Sequence, residues 1–388
     1  MIYISAVGML NALGNNLDEI AQNLVLGHAP GMYERSGWLQ PDKTCCLGGI
    51  DSELPAIPDV LPEHNSRNNR LLLAALMQIK PQVDEAIARH GRERIAVIMG
   101  TSTSGLNEGD RHVSRTLHQQ EDEHYHYYQQ ELGDPSRFLA NYLGIDGPAF
   151  TLSTACSSSS RAIISGQRLI EMGLVDAAIV GGADTLSRMP INGFHSLEAL
   201  SPIQCEPFGE NRQGINIGEA STLMLLTRDP QPVALLGVGE SSDAWHMSAP
   251  HPEGKGAIEA INMALDNAGL VPADIGYINL HGTGTKLNDQ MESHVINQLF
   301  GENTPCSSTK HLTGHTLGAA GACEAALCWL LLTRHLPLPP QDFSRTGKDA
   351  SLAYCGLLDQ PQPLEKSIIM SNSFAFGGNN TSLILGVA

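Results

Sequence analysis

Apolar and polar positions along the chain follow two spacings that alternate. Short continuous apolar runs are typical of strands covered on both faces, and they lie at 94–100, 177–182, 276–282 and 366–372. Longer stretches with apolar residues three and four positions apart predict helices, at 68–90, 157–172, 255–269 and 317–335. Strands that alternate with helices in this way favour an α/β protein.

Two pairs of segments repeat the same order of elements. The pairs are 70–105 with 256–285, and 150–173 with 306–332. This repetition predicts two similar halves, 1–230 and 231–388, that meet at the Pro-containing RDPQP and bring corresponding loops together across a pseudo-twofold axis. Chance similarity between α/β units is the alternative that the pattern leaves open.

Charge and composition narrow the classes of partner. The chain has 388 residues, 42% hydrophobic and 16% charged, which is an ordinary globular composition. Its formal net charge of −18 predicts long-range repulsion of nucleic acid and of anionic membranes. The same charge would repel an acidic protein partner.

Targeting and redox signals are weak. No apolar run approaches the roughly 18–20 residues of a membrane span, and the N-terminal stretch lacks the basic residues of a signal peptide. The eight cysteines, with Cys45 and Cys46 adjacent, do not have the spacing of a disulfide framework, which indicates a reducing cytoplasm.

One cysteine has a reactive context. Cys156 lies in STACSSSS, and the helix predicted from about Ser157 begins directly after it. The positive end of a helix dipole favours the thiolate, and free N–H groups there can receive an oxyanion. Small neighbours leave room for a bulky thioester. The alternative is a buried structural cysteine, the better interpretation for any one of eight cysteines taken alone.

Two later segments bring histidines and a lysine to loops. The HGTGT motif follows an apolar strand and places His281 at its carboxyl end, where α/β proteins place their sites. Further on, SSTKHLTGHTLGAAGACEA holds Lys310, His311 and His315 ahead of a helix. A structurally satisfied His281 and an exposed basic turn are the alternatives. Small residues at 318–322 argue against the exposed turn, because such a helix start packs closely.

Near the end of the chain, SNSFAFGGNN places Phe374 and Phe376 on one face of a strand ahead of two glycines. Alternating aromatic residues usually belong to a core face. The glycines favour either a hinge or a backbone amide close to a ligand.

In this order, these motifs resemble the successive signatures of the β-ketoacyl-(acyl carrier protein) synthases of the elongating Cys-His-His branch. The segments GFHSLEALS (193–201) and PFGENRQGINIGEAS (207–221) are similar to the family's intervening segments, so the match spans nearly the whole chain. The sequence also resembles, less specifically, the ketosynthases of bacterial aryl-polyene clusters.

The resemblance implies a fold and an activity. The implied fold is thiolase-like, with duplicated βαβαβαββ halves in a five-layered α-β-α-β-α arrangement. The implied enzyme is a cytoplasmic acyltransferase that condenses a cysteine-bound acyl group with malonyl-(acyl carrier protein), with loss of CO₂, to 3-oxoacyl-(acyl carrier protein). Such a step serves fatty acid or aryl-polyene and polyketide biosynthesis, and needs no metal and no organic cofactor.

The resemblance also assigns residues. Cys156 is the implied nucleophile, His281 and His315 the decarboxylation pair, and Lys310 and Glu324 a buried ion pair. Backbone N–H groups of Cys156 and Phe376 would form an oxyanion hole, with Phe376 as the gate. The remaining assignments are the substrate or gate residues Phe374, Thr283, Thr285 and Ser104, and the loop-ordering acids Asp289 and Glu292.

Two protein partners follow from the resemblance. The first is a second subunit, either another copy or a chain-length-factor-like homologue, which pairs with an edge strand at about 148–154. The second is the acyl carrier protein, which is acidic and therefore needs a basic patch on the chain.

For that patch we expect Arg67 and Arg70, which are three positions apart at a helix start and share a face. Glu198 stands where related enzymes often carry an arginine, so Arg188, Arg212 or a partner subunit would complete the patch. The alternative is that Arg67 and Arg70 merely solvate a helix end.

Rival functions have their own signatures. Thiolases carry a second catalytic cysteine, Cys-His-Asn enzymes have asparagine where His315 stands, and silent chain-length partners lack the active cysteine. From another class, Ser307 and Lys310 match the Ser-x-x-Lys of penicillin-recognising acyltransferases, but no Lys-Thr-Gly follows. A protein that only binds is the third hypothesis.

A metal is the last alternative. The stretch 118–128 contains His118, His124 and His126. Their spacing fits no familiar metal site, so we expect a solvated loop or a dimer edge there.

Overall fold

The computed structural model describes residues 1–39, 43–120 and 124–387. Its strands are β1 (Ile2–Leu10), β2 (Met32–Arg35), β3 (Cys45–Gly48), β4 (Ile95–Gly100), β5 (Ala149–Leu152), β6 (Ala177–Asp184), β7 (Ala220–Thr227), β8 (Val233–Ser242), β9 (Tyr277–Asn279), β10 (Cys306–Ser307), β11 (Ile368–Phe374) and β12 (Asn379–Val387). Its α-helices are α1 (Leu17–Leu26), α2 (Arg67–His90), α3 (Leu106–Leu117), α4 (Asp134–Leu143), α5 (Ser158–Glu171), α6 (Arg188–Ser196), α7 (Lys255–Ala268), α8 (Lys286–Phe300), α9 (Lys310–Thr313) and α10 (Ala320–Arg334).

Local sequence explains where several helices begin and end. Asn16 caps α1 by accepting from two backbone N–H groups, and Gly27 ends it in the left-handed conformation, with φ of 61°. Ser66 caps α2 in the same way, accepting from the N–H of Asn69. The strands and helices predicted from periodicity are all present. The observed bounds differ from the predicted ones mainly at the ends of the elements. The predicted helix 317–335, for example, begins with a separate 3₁₀ turn at Leu317–Ala319, and α10 follows it.

Ten of the described strands form one sheet in the order β10-β9-β11-β12-β8-β1-β7-β6-β4-β5. The half β1-β7-β6-β4-β5 is repeated, in mirrored position, as β8-β12-β11-β9-β10. The halves meet where β1 pairs antiparallel with β8. A duplicated chain would produce this mirrored order. The duplication, with its boundary near residue 230, remains a prediction.

Helices divide the molecule into layers. α5 and α10 contact each other and strands of both sheet halves, so they form the central layer. α2 and α4 cover the outer face of the first half, and α7 covers that of the second, with α8 packed beside it. The expected thiolase-like, five-layered arrangement is therefore confirmed, although the two halves join into a continuous sheet.

The central helix corrects the expectation that no apolar stretch approaches the length of a membrane span. Leu317–Arg334 spans 18 residues with a mean hydropathy of 1.3, which is long and apolar enough to cross a membrane by length and composition alone. However, 83% of this stretch is buried inside the fold. Its composition is that of a core helix packed on both sides.

Candidate active site

Cys156 lies at the turn between β5 and α5. Ala155, the residue before it, has φ of 52°, a left-handed conformation that is uncommon outside glycine and makes the turn sharp. The turn places the thiol just before the first residues of α5, in a buried position. The backbone N–H groups of Phe376 and of Cys156 itself lie close enough to the sulfur to lower the pKa of the thiol. Both expected oxyanion donors therefore lie at the reacting atom.

The protonation state of Cys156 differs from expectation. Burial raises the pKa of the thiol to about 11, and the Phe376 N–H and the Lys310 ammonium oppose this shift only in part. Desolvation disfavours an anion more strongly here than the helix terminus favours it. The resting form at neutral pH is therefore the thiol, and not the thiolate that the helix position alone predicts.

Two histidines face this sulfur from the other half of the chain. Nε2 of His315 lies 3.0 Å from Sγ of Cys156. The rings of His281 and His315 are nearly perpendicular, with centroids 5.4 Å apart. One ligand atom from each of the three residues fits within 4.8 Å of the others. The three groups expected to act together are thus in one place.

The hydrogen bonds at Nδ1 determine where each imidazole carries its proton. The N–H of Leu317 donates to Nδ1 of His315 at 3.2 Å, and the ammonium of Lys310 lies 3.5 Å from Nδ1 of His281. A neutral ring that accepts at Nδ1 must hold its proton on Nε2. Both histidines therefore present an Nε2–H donor to the site.

Both rings are also neutral at physiological pH. Burial, followed by the charge of Lys310, lowers the pKa of His281 well below its ordinary value. The same two causes lower the pKa of His315. Neutral N–H donors stabilise a developing oxyanion without first having to release a proton.

The same hydrogen bonds decide against a metal at this site. A Cys-His-His set has the composition of a zinc site, where each imidazole contributes a nitrogen lone pair. Here Nδ1 of each ring is the acceptor, so each neutral ring carries its proton on Nε2, the atom by which His315 faces Cys156. The residues present therefore do not fit a metal.

The histidine-rich stretch 118–128 is partly outside the described residues, since 121–123 are not included. Nδ1 of His118 bonds to the carbonyl of Ser114, and Nδ1 of His126 accepts from the N–H of Tyr128. These imidazoles serve local turns. In the described part of the stretch they form no three-ligand group.

Lys310 and Glu324 form the expected ion pair. Both side chains are 1% exposed, and Lys310 also donates to the carbonyl of His281 at 2.5 Å. Burial raises the pKa of the Glu324 carboxyl, and Lys310 opposes the shift. The pair links the start of α9 to α10 and holds a positive charge behind the first histidine.

Two buried acids hold the loop after β9. The carboxylate of Glu292 accepts the N–H groups of His281 and Gly282, both at 2.7 Å. Asp289 accepts the N–H groups of Phe208 at 2.8 Å and Gly284 at 3.2 Å. Their geometry agrees with the expected role of ordering this loop.

The site opens into a cavity of about 590 Å³. Phe374, Phe376, Thr283 and Thr285 line it, and the two threonine hydroxyls are 2.8 Å apart. Phe376 is half-buried and its ring lies 5.6 Å from that of Phe194. Phe374 is buried and forms a wall.

Ser104 is not a substrate residue. Its side chain is buried, and its hydroxyl donates to the carbonyl of Glu131 at 2.8 Å. It does not line the cavity. The prediction failed because the loop at 101–105 folds against the segment before α4 rather than into the site.

Arg67 and Arg70 both bind groups of the chain itself. Arg67 binds both carboxylate oxygens of Glu219, at 2.6 and 3.0 Å. Arg70 donates to the carbonyls of Leu54 and Pro55, at 2.7 and 3.0 Å. Neither lines the cavity. The geometry therefore argues against a docking role and gives the pair a structural one.

The two arginines expected to complete the basic patch, Arg188 and Arg212, differ in burial and in their partners. Arg212 lines the cavity but is buried, with its guanidinium 2.5 Å from Asp349 and 3.4 Å from Asp289. Arg188, at the start of α6, is exposed. Glu198 lines the cavity and is also exposed. Of the two arginines, only Arg188 is available to a partner.

Ser307 is unsuited to be a nucleophile. It is fully buried, its hydroxyl donates to the carbonyl of Pro339 at 2.5 Å, and it bonds to the hydroxyl of Tyr277 at 2.7 Å. The Ser-x-x-Lys spacing therefore arose by chance.

Sequence reasoning missed three positions that shape the site. Asp184, at the carboxyl end of β6, accepts from the hydroxyl of Thr101 and from the N–H of Ala319, which ties the start of α10 to the β4 loop. A carboxylate at a strand end was a visible signal. Leu317, acting through its N–H, and Phe194, which packs on Phe376, had no visible signal.

The comparisons decide the family. The profile described as "Beta-ketoacyl synthase, N-terminal domain" matches residues 54–231, and that of "Beta-ketoacyl synthase, C-terminal domain" matches residues 233–342. The chain belongs to the beta-ketoacyl synthase family. It is therefore a condensing acyltransferase, as expected.

One relative matches nearly the whole chain, and two others match 62% of it. A "3-oxoacyl-[acyl-carrier-protein] synthase 2" of Synechocystis is 29% identical, over 98% of this chain and 97% of its own length. A protein with the same name from Staphylococcus aureus and the "Nodulation protein E" of Rhizobium meliloti are each 34% identical, over 62% of either chain.

Two solved ketosynthase structures match over the whole chain. A Xenorhabdus doucetiae ketosynthase (ApeO), solved in complex with its chain length factor (ApeC), is 85% identical with a TM-score of 0.99, covering 100% of this chain and 98% of that one. "The ishigamide ketosynthase/chain length factor" is 27% identical with a TM-score of 0.88, covering 100% and 99%.

Proposed function

We propose that this beta-ketoacyl synthase loads an acyl group on Cys156 and extends it with malonyl-(acyl carrier protein), His281 and His315 acting on the malonyl unit. The observation that carries the proposal is the meeting of one thiol with two imidazoles, one atom of each group lying within 4.8 Å of the others. A thiol accepts the acyl chain, while two neutral donors suit an enolate.

In the loading step, the sulfur of Cys156 attacks the thioester carbonyl of the acyl carrier. The carbonyl oxygen becomes an oxyanion and receives the N–H groups of Cys156 and Phe376. The bond from the carbonyl carbon to the carrier's sulfur then breaks. The proton lost by Cys156 balances the one that the departing thiol takes up.

In the extension step, the bond between the malonyl carboxylate and its α-carbon breaks and CO₂ leaves. The electron pair moves to the thioester oxygen as an enolate, which the Nε2–H groups of His281 and His315 stabilise. The enolate carbon attacks the acyl carbonyl on Cys156. The sulfur departs, takes up one proton, and leaves a 3-oxoacyl carrier.

The partners and the pathway extend this proposal. The similar Xenorhabdus doucetiae ketosynthase was solved with its chain length factor, which supports a heterodimer with such a partner. Together with the resemblance to aryl-polyene ketosynthases, this favours aryl-polyene or polyketide synthesis over the fatty acid pathway. Eight free, buried cysteines are in keeping with a reducing cytoplasm.

Intact-mass spectrometry after incubation with a panel of acyl carriers tests the proposal. We expect an acyl adduct on the wild type and on Cys46→Ala, a matched control because Cys46 and Cys156 are both 6% exposed. We expect none on Cys156→Ala. An adduct that persists on Cys156→Ala would place the nucleophile elsewhere and end the proposal. The acyl group that loads fastest identifies the starter class.

A further inference from the structure

Exposed apolar side chains surround the mouth of the active-site cavity. They come from the residue after α6, from the loop between β8 and α7, and from the first turn of α8. They are Leu197 (58% exposed), Trp245 (54%), Met247 (81%) and Leu287 (57%). We call these four side chains the mouth rim.

Two of the rim side chains line the cavity, and the other two lie on the loop that supplies the cavity-lining Asp243 and Ser248. Leu197 and Leu287 line the cavity and are still more than half exposed, so the opening lies between them. Met247 precedes the cavity-lining Ser248, and its carbonyl accepts the N–H of Gly377 beside the gate at 2.9 Å. The ring of Trp245 packs 4.5 Å from that of His251, which holds it at the surface.

Single exposed apolar residues are ordinary, but a group of large ones around one opening indicates a binding surface. Tryptophan and methionine are enriched at protein interfaces, and tryptophan is frequent among the residues that contribute most to binding. Methionine also adapts its shape to different partners. The rim therefore has the composition of a protein-docking surface.

Charge at the mouth does not attract an acidic partner. Among the described residues that line the cavity, the formally charged ones are Glu198, Asp243, Arg212 and Lys286, which sum to zero. Arg212 is already held by Asp349 and Asp289. The chain as a whole carries −18. At long range it repels an acidic carrier.

We infer that the acyl carrier protein docks on the mouth rim by apolar contact, against a long-range electrostatic repulsion. The inference rests on the proposed function, since only a carrier-borne substrate needs a protein at this mouth. Continuity with the cavity selects the carrier over other partners, because its bound arm must enter between Leu197 and Leu287.

The sign of the salt dependence is the first test. Raising NaCl from about 50 mM to about 500 mM shortens the screening length severalfold and weakens the repulsion between two acidic proteins. We expect the KM of Cys156 acylation by an acyl carrier to stay level or fall. A basic docking patch predicts the opposite, so a KM that rises with salt overturns the inference.

Charge insertion in the rim is the second test. Met247→Glu and Trp245→Glu should raise the KM for acyl carrier about tenfold more than the KM for a small acyl-pantetheine thioester, since each buries a charge in the docked complex. Val271→Glu is the matched control, because Val271 is 57% exposed and does not line the cavity. It should behave as wild type.

Two results would refute the rim as the docking site. Equal loss toward both substrates would make the rim part of the pocket, and a larger loss in Lys286→Glu than in the rim variants would make docking electrostatic. A wild type that never loads an acyl group from any carrier removes the proposed function instead, and the inference with it.

Discussion

Each imidazole of the site is held by a donor at Nδ1, one from a backbone and one from a lysine. Leu317 reaches His315 from a left-handed conformation, with φ of 51°, which is costly for a leucine and persists only where surroundings enforce it. Lys310 does two things at once: it fixes the tautomer of His281 and holds down the pKa of both rings.

Removing either histidine should therefore reduce decarboxylation more than acyl loading. His281→Ala and His315→Ala are each expected to lower CO₂ release from malonyl carrier by about 10²–10³, the effect of losing one oxyanion donor. Radiometric CO₂ assays and mass spectrometry separate the two steps. Normal decarboxylation with impaired loading in both variants would contradict the assignment.

The lysine charge can be tested through the ring pKa values. Because Lys310 lowers the pKa of both histidines, the paired change Lys310→Met with Glu324→Gln should raise both, without leaving a buried carboxylate unpaired. Nitrogen-15 NMR of labelled histidine should show both wild-type rings neutral at about pH 6, below the ordinary pKa of about 6.5. A wild-type ring that titrates at its ordinary value refutes the geometry.

Cys156 has no substitute in the site. Cys156→Ala should abolish condensation, since no other described thiol lines the cavity. Cys156→Gln should keep or raise malonyl decarboxylation, because its amide imitates the acylated state. Condensation activity in Cys156→Ala at the wild-type rate would rule out this mechanism.

The reacting residues could be read from sequence because each lies in a local motif. Cys156 precedes a helix, and His281 ends a strand. The sequence does not predict contacts between side chains that lie far apart along the chain. Arg67 looked free beside Arg70, but its partner Glu219 is 152 residues away, and no local pattern indicates that bond.

At the scale of elements, α8 clamps the loop that carries the first histidine. Its Glu292 accepts two N–H groups of that loop, and its Asp289 accepts two more donors nearby. The predicted strand 276–282 ends early, at Asn279, because the Glu292 carboxylate takes over the N–H groups of His281 and Gly282 that a longer strand would offer to a neighbour. Apolar periodicity predicts that the strand exists but does not show where side chains replace the sheet.

Glu292→Gln tests this clamp. The amide NH₂ of glutamine would face a backbone N–H, so one buried donor loses its acceptor, at a cost of about 1–3 kcal/mol. Urea unfolding should show this loss, together with lower condensation activity. Gln290→Glu is the control, since Gln290 lies on the exposed face of α8. Wild-type stability in Glu292→Gln would mean that the loop holds itself.

At the scale of the whole molecule, the nucleophile comes from one sheet half and both histidines from the other. β5 ends the sheet and has an unpaired edge in the described chain. On β5 itself the apolar side chain of Phe150 is exposed. An uncovered apolar edge of this kind invites a second chain.

We therefore expect no stable monomer, whether the second subunit is another copy or a chain-length-factor homologue. Analytical ultracentrifugation at low micromolar concentration should show a dimer for the wild type, alone or with its partner. A sole species of 41.5 kDa in both samples refutes the prediction. Phe150→Glu should dissociate the dimer, and Val271→Glu, also exposed but remote from β5, should not.

Two glycines, Gly318 and Gly321, lie where the packing around the start of α10 is tightest. A Cβ at Gly321 would lie 1.8 Å from the hydroxyl of Ser160, and one at Gly318 would lie 2.8 Å from Ser102. The start of α10 therefore packs against α5 and the loop after β4 with no space for a larger side chain. For redesign of this enzyme, substitutions at the exposed mouth meet no such contact, whereas any larger side chain at Gly318 or Gly321 would clash with Ser102 or Ser160.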